Sequence, residues 1–193
     1  MKNIPLTLFV SLLTFLVFGC QPNSSAVAGP EKSYKLIGKE VSFVTPSGPW
    51  QETVDTIREE DAELGMSADT VVAVVFRRPK EEGLISVGAL GQQRDSENKL
   101  IELENDQETL NQIANWVIKR DGKITEQDYI KVLGVNAFRM TFALGDEKRK
   151  EKGQQVHFTK DGTHYALSIL VPAKDYAAEI PHFDHLLSSF QEK

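Results

Sequence analysis

Two pairs of histidines are the residues of this sequence best suited to chemistry. His182 and His185 lie three positions apart in a segment typical of a helix, so their side chains share one face. Imidazole nitrogens bind Zn²⁺ or Cu²⁺ when a third ligand approaches, which makes the pair a candidate metal site. A solvated polar helix face explains the same spacing without a metal.

The other pair, His157 and His164, flanks a sequence typical of a β-hairpin. Asp161-Gly162 favours a two-residue type I′ turn. In that register His157 faces Ala166, and the two histidines become diagonal neighbours on one face of the hairpin. Because histidine titrates near neutral pH, the pair is a candidate pH-sensitive or metal site. An ordinary polar surface, or a sheet face covered by a helix, is the alternative.

Recognised catalytic motifs are absent from the sequence. It contains no G-x-S-x-G, H-E-x-x-H or phosphate-binding G-x-x-x-x-G-K pattern. Its carboxylates lie mostly in charge-rich stretches typical of exposed surface, such as Glu59, Glu60, Asp61, Glu102 and Glu104. We therefore expect a protein that is not an enzyme and needs no cofactor. A hydrolase whose carboxylates meet only on folding is the catalytic alternative.

The two tryptophans differ in their sequence surroundings. Trp50 follows Gly48-Pro49 at the end of a short strand, and we expect it to fill the core there. Trp116 lies at the flank of the apolar stripe of a predicted helix. Exposed tryptophans are enriched in binding hot spots, so Trp116 is a candidate partner-binding residue. Closing the edge of the core is its other interpretation.

The single cysteine, Cys20, ends a segment with the features of a signal peptide. Lys2 precedes an apolar run from Ile4 to Phe18, too short to span a bilayer, which takes roughly 20 residues. The run closes with Val17-Phe18-Gly19-Cys20, which resembles the lipobox of bacterial lipoproteins. The resemblance implies cleavage before Cys20, acylation of Cys20 and anchoring to a membrane outside the cytoplasm. Gln21 in place of aspartate then favours the outer membrane of a Gram-negative host.

The charge of the chain limits its partners. Without residues 1–19 the chain has 21 Lys and Arg against 28 Asp and Glu, a net charge of −7 with neutral histidines. Such an acidic chain argues against nucleic acid and against an anionic lipid surface as partners. With Cys20 acylated no thiol remains, so stability must come from packing.

Composition and periodicity divide the chain into three parts: a signal peptide (1–19), the acylated cysteine with a flexible tether (20–33), and one globular domain (34–193). The predicted strands are Val41–Val44, Thr70–Phe76, Leu84–Leu90, Tyr129–Leu133, Ala137–Leu144 and the hairpin Gln155–Val171. A helix is predicted over Asn105–Asp121, ended by a left-handed Gly122, and another from about Pro181. Residues 51–66 are ambiguous, with a short helix around Arg58–Leu64, and 145–153 read as a charged loop.

Aromatic, glycine and proline positions occur in an order that resembles a known family. Phe43-x-x-Pro46-x-Gly48-x-Trp50 opens the pattern, and Gly162-x-x-Tyr165-x-Leu167 and Phe183-x-x-Leu186-Leu187-x-Ser189-Phe190 close it. Over roughly residues 34–191 the chain resembles the PsbP-like fold of photosystem II extrinsic proteins, DcrB-type bacterial lipoproteins and Ran-binding Mog proteins. The resemblance implies an α+β fold, with helices packed on the faces of an antiparallel sheet. It also implies a mostly non-enzymatic protein that docks onto a larger assembly.

These observations predict a membrane-anchored, extracytoplasmic binding or assembly-accessory lipoprotein with a protein partner in a membrane complex. A carrier of a small ligand or metal in the cell envelope is the alternative, and it is suggested by the four histidines.

Overall fold

The computed structural model describes residues 28–56, 71–81, 83–92, 107–145 and 150–193. Its strands are β1 (Ala28–Leu36), β2 (Lys39–Pro46), β3 (Gln51–Thr56), β4 (Val71–Arg77), β5 (Leu84–Gln92), β6 (Lys123–Val132), β7 (Val135–Leu144), β8 (Glu151–Lys160), β9 (Thr163–Pro172) and β10 (Gln191–Glu192). Its helices are α1 (Gln107–Ile118) and α2 (Tyr176–Ser189), and a 3₁₀ turn covers Pro79–Glu81. Cys20, the predicted helix at 58–64 and the five candidate carboxylates lie outside these ranges.

The strands form two antiparallel sheets, which confirms the predicted α+β class. The larger sheet has the order β3-β4-β5-β9-β8-β7-β6, and the smaller one has the order β1-β2-β10. Helix α2 packs against β2 and β9, between the two sheets, whereas α1 lies against β6 on the other face of the larger sheet. No helix among the described residues has both the length and the apolar character needed to cross a bilayer.

The main core contains the residues that carried the family resemblance. The Phe190 ring centroid lies 6.1 Å from that of Phe43 and 5.4 Å from that of Tyr165. The backbone N–H of Val44 donates a hydrogen bond of 2.8 Å to the Ser189 hydroxyl. These contacts fix the C-terminal end of α2 to the smaller sheet.

The β8–β9 hairpin has the predicted register. Asp161 and Gly162 form its turn with positive φ values of 47° and 79°, as a type I′ turn requires. His157 pairs with Ala166, as expected. The alternate apolar side chains of both strands all lie in the main core: Val156, Phe158, Tyr165, Leu167, Ile169 and Val171.

Several element boundaries differ from the prediction. β1 begins at Ala28, so residues 28–33 form a strand where a tether was expected, and residues 51–56 form β3. β6 begins at Lys123 rather than Tyr129, and β8 begins at Glu151 inside the expected charged loop. α2 begins at Tyr176, so Pro181 lies inside the helix instead of at its start.

The end of α1 differs from the prediction by one residue. Asp121, with φ 53°, is the left-handed residue, and the N–H groups of Asp121 and Gly122 donate to the carbonyls of Ile118 and Val117, each at 3.0 Å. This pattern is a Schellman motif with Asp121 at C′. Gly122 is needed for space, because a Cβ there would lie 2.4 Å from a Leu144 methyl.

Candidate functional site

The His157–His164 pair is buried, so of the two alternatives left open by the sequence it is covered and not part of a polar surface. The two side chains are 8% and 4% exposed, and His157 Nδ1 lies 3.3 Å from His164 Nε2. His157 Nε2 lies 3.3 Å from Gln155 Oε1. An amide oxygen only accepts, so His157 Nε2 carries the proton, and His164 Nε2 donates to His157 Nδ1.

His157 is held in its neutral form by its surroundings. Burial and, second, the neighbouring His164 lower the pKa of His157 to about 3. A positive charge on His157 would lose its hydration, and the neighbouring imidazole of His164 would disfavour it further. The geometry therefore fits a buried hydrogen-bonded pair whose protonation opposes folding.

His182 and His185 both lie on α2, away from the hairpin pair. His182 is packed edge-on against Trp50, with 6.4 Å between ring centroids, and its Nε2 lies 3.7 Å from Glu179. Glu179 also pairs with Arg78 at 3.2 Å. His182 therefore belongs to a partly buried cluster and not to a solvated helix face. Within the described ranges no group of three or more His, Cys, Asp or Glu side chains is arranged to hold a metal ion.

Trp50 and Trp116 both act in packing. Trp50 packs against the main core, as expected. Trp116 packs against the second core cluster, with its ring centroid 5.7 Å from Phe142 in a T-shaped contact. The guanidinium of Arg120 lies 4.2 Å above the Trp116 ring. Trp116 thus closes the edge of the core and leaves only part of its surface for a partner.

Two exposed apolar side chains on α1 and β6 were not found from the sequence. Ile118 is 57% exposed at the end of α1, and Tyr129 is 51% exposed on the edge strand β6. Tyr129 lies 5.7 Å from Phe138, centroid to centroid. We name Trp116, Ile118 and Tyr129 the β6 margin. Their signal in the sequence was an apolar residue one position beyond the helix stripe and an aromatic residue on a polar strand.

A polar cluster lies between α2 and the strands β6, β7 and β8. Arg139 forms a two-pronged pair with Asp128: Nε donates to Oδ1 at 2.8 Å and Nη2 donates to Oδ2. This hydrogen bond lowers the pKa of the Asp128 carboxyl. Partial burial raises the pKa of Asp184 on α2, against the opposing effects of Arg139 and then His185.

Beneath that pair, polar side chains enter the sheet face that α2 covers. Gln154 Nε2 donates to Thr141 Oγ1 at 3.3 Å, and Gln154 Oε1 is buried without a protein partner. The ammonium of Lys152 lies 4.3 Å above the ring of Tyr176. Polar residues alternating with core residues on β7 and β8 were the signal for this cluster, but only the fold shows that α2 covers them.

Comparisons with known proteins place the chain by fold. No protein-family model matches it, and no curated protein matches it. Among solved structures it is similar to the solution structure of cyanobacterial PsbP (CyanoP) from Synechocystis sp. PCC 6803. The two are 15% identical, the match covers 92% of this chain and 99% of that chain, and the TM-score is 0.55.

A second similar structure is a protein from Bacteroides thetaiotaomicron VPI-5482. The identity is 13%, the match covers 86% of this chain and the TM-score is 0.52. This match spans 48% of that longer chain. The molecule thus has a PsbP-like α+β fold, as the aromatic and glycine pattern predicted. At these identities the likeness defines the fold and leaves the function to be argued from the surface.

Proposed function

We propose that this protein is a lipid-anchored, extracytoplasmic binding module that acts without catalysis by docking onto a protein of a membrane complex. The β6 margin is the proposed docking surface. Cys20, with the lipobox-like sequence before it, is the proposed anchor. The absence of catalytic motifs from the sequence supports a binding role over an enzymatic one.

One observation carries the choice of surface: two large apolar side chains are about half exposed at the same margin of the larger sheet. Ile118 and Tyr129 flank the place where α1 meets β6, and Phe138 and Phe142 support the margin from β7. Apolar and aromatic side chains on a rigid support lose little conformational entropy when a partner covers them.

The test is crosslinking of the anchored protein in its own membrane, followed by mass spectrometry. Ile118→Ser and Tyr129→Ser remove the proposed contacts. Val54→Ser is the matched control, because Val54 is 50% exposed on β3 at the opposite edge of the same sheet. We expect one crosslinked protein that is lost with the margin variants and retained with Val54→Ser.

The anchor is tested separately with Cys20→Ala. We expect this variant to leave the membrane fraction in a high-salt wash, which removes proteins held by charge alone, and to lose the crosslinked protein. Equal capture by wild type and the double margin variant would overturn the docking surface, and retention of Cys20→Ala in the membrane fraction after the high-salt wash would overturn the anchor.

A further inference from the structure

Loops from distant parts of the chain meet at one end of the larger sheet. A continuous row of paired residues crosses the sheet near this end: Gln51, Arg77, Leu84, Leu170, Gly153, Phe142 and Ile124. The described residues that follow β4 and β9, those between α1 and β6, and Lys150 before β8 therefore all lie beyond the same row. We name these described residues, with the strand residues at their borders, the basic end.

The basic end carries positive charge in a chain whose net charge is −6. Its exposed cations in the described ranges are Arg77, Lys80, Lys119, Arg120, Lys123, Lys150 and Lys174. Asp121 is exposed among them, whereas Asp175 lies 3.5 Å from Arg78. Arg78 and Lys152 add two less exposed bases, and Glu81, Glu151 and Glu179 add three acids, so Lys and Arg remain in excess among the described residues of this end.

The chain also enters the domain at the basic end. Ala28, the first residue of β1, pairs with Pro46, which lies four residues before Trp50 and five before Gln51, the first residue of β3. Seven residues, 21–27, separate Ala28 from Cys20. Fully extended, this segment reaches at most about 29 Å, so an anchor on Cys20 holds this end near the membrane surface.

We propose that the basic end binds the anionic phospholipid headgroups of the membrane that carries the anchor. The inference rests on the proposed lipid anchor for its orientation, but the headgroup contact itself depends only on the clustered charge. Each Lys or Arg near an anionic leaflet adds to the attraction, and the attraction fades within a Debye length of about 8 Å at physiological salt.

The experiment measures sedimentation with vesicles of phosphatidylcholine alone or mixed with phosphatidylglycerol. The chain from residue 20 onward carries Cys20→Ser, so that no acyl chain contributes. Lys119→Glu, Lys123→Glu and Lys174→Glu are combined in one variant. Lys35→Glu, Lys131→Glu and Lys160→Glu form the matched control, because they change the net charge equally at the opposite end of the strands.

We expect the unvaried chain and the control to bind the phosphatidylglycerol vesicles, with binding that weakens as salt rises. The basic-end variant should need about tenfold more lipid, or more, for half binding. No binding by the unvaried chain, or an equal loss in both variants, would overturn the proposal. The proposed anchor and docking surface are judged by the separate crosslinking test, so their failure is distinguishable from this one.

Discussion

At the scale of single residues, the His157–His164 pair links folding to pH. The folded protein holds His157 neutral, with a pKa of about 3, whereas an unfolded chain takes up a proton near pH 6.5. The unfolded state then binds more protons below pH 6.5. The contribution of His157 to stability is therefore complete above that pH, falls as the pH drops and is lost by about pH 3.

We expect the free energy of unfolding of the unvaried protein to fall by about 2 kcal/mol through His157 between pH 6.5 and pH 5. His157→Gln should reduce the slope of stability against pH in this window, because one neutral buried imidazole is gone. Urea unfolding at pH 7.5, 6.0 and 5.0 measures the slope. Ile169→Val is the control, since it weakens the same strand pair without a titrating group. Identical slopes for the unvaried protein and His157→Gln would contradict this account.

At the scale of elements, local chemistry decided which parts could be predicted. The β8–β9 hairpin was predicted in register because Asp161-Gly162 fixes its turn and the strands alternate on either side. The smaller sheet was predicted only in β2. β10 pairs Gln191 with Ser42, a partner that no local pattern indicates, and β1 is formed by residues whose composition is typical of a tether.

The same limit applies to the candidate site. The sequence predicted the face of His157 and His164 but left open whether that face is exposed or covered, because what covers a sheet face is decided by distant parts of the chain. It identified Trp116 but missed Ile118 and Tyr129, whose exposure depends on how α1 lies against β6. The start of α2 at Tyr176 shows tertiary packing outweighing the preference of proline for the first helical turn.

The end of α1 gives a prediction at the element scale. Asp121→Gly should raise the free energy of unfolding by about 0.5–1 kcal/mol, because glycine adopts the left-handed φ of 53° without a Cβ penalty. Gly122→Ala should lower it by about 1–3 kcal/mol, because its Cβ would press on Leu144 and Val117. Urea denaturation of both variants measures the difference. A loss of stability in Asp121→Gly would mean that the aspartate side chain stabilises the cap.

At the scale of the whole molecule, the distribution of charge matters more than its sum. The net charge of −6 argued against an anionic lipid surface, yet the topology gathers cations from four separate segments at the end where the chain enters the domain. A sum over the sequence contains no information about this arrangement, because strand order decides which loops become neighbours.

The cations gathered at one end of the molecule predict its orientation on a membrane. Cys20 is the only cysteine of the sequence, and the proposed acylation would consume its thiol, so that a new cysteine can be labelled alone. Ala173→Cys marks the basic end, and Lys131→Cys marks the opposite end of ten-residue strands, about 33 Å away. In vesicles containing phosphatidylglycerol, a headgroup quencher should suppress a dye at residue 173 far more than one at residue 131. Adding Lys119→Glu and Lys123→Glu should reduce the difference in quenching between residues 173 and 131. Stronger quenching at residue 131 than at residue 173 would reverse the assigned orientation.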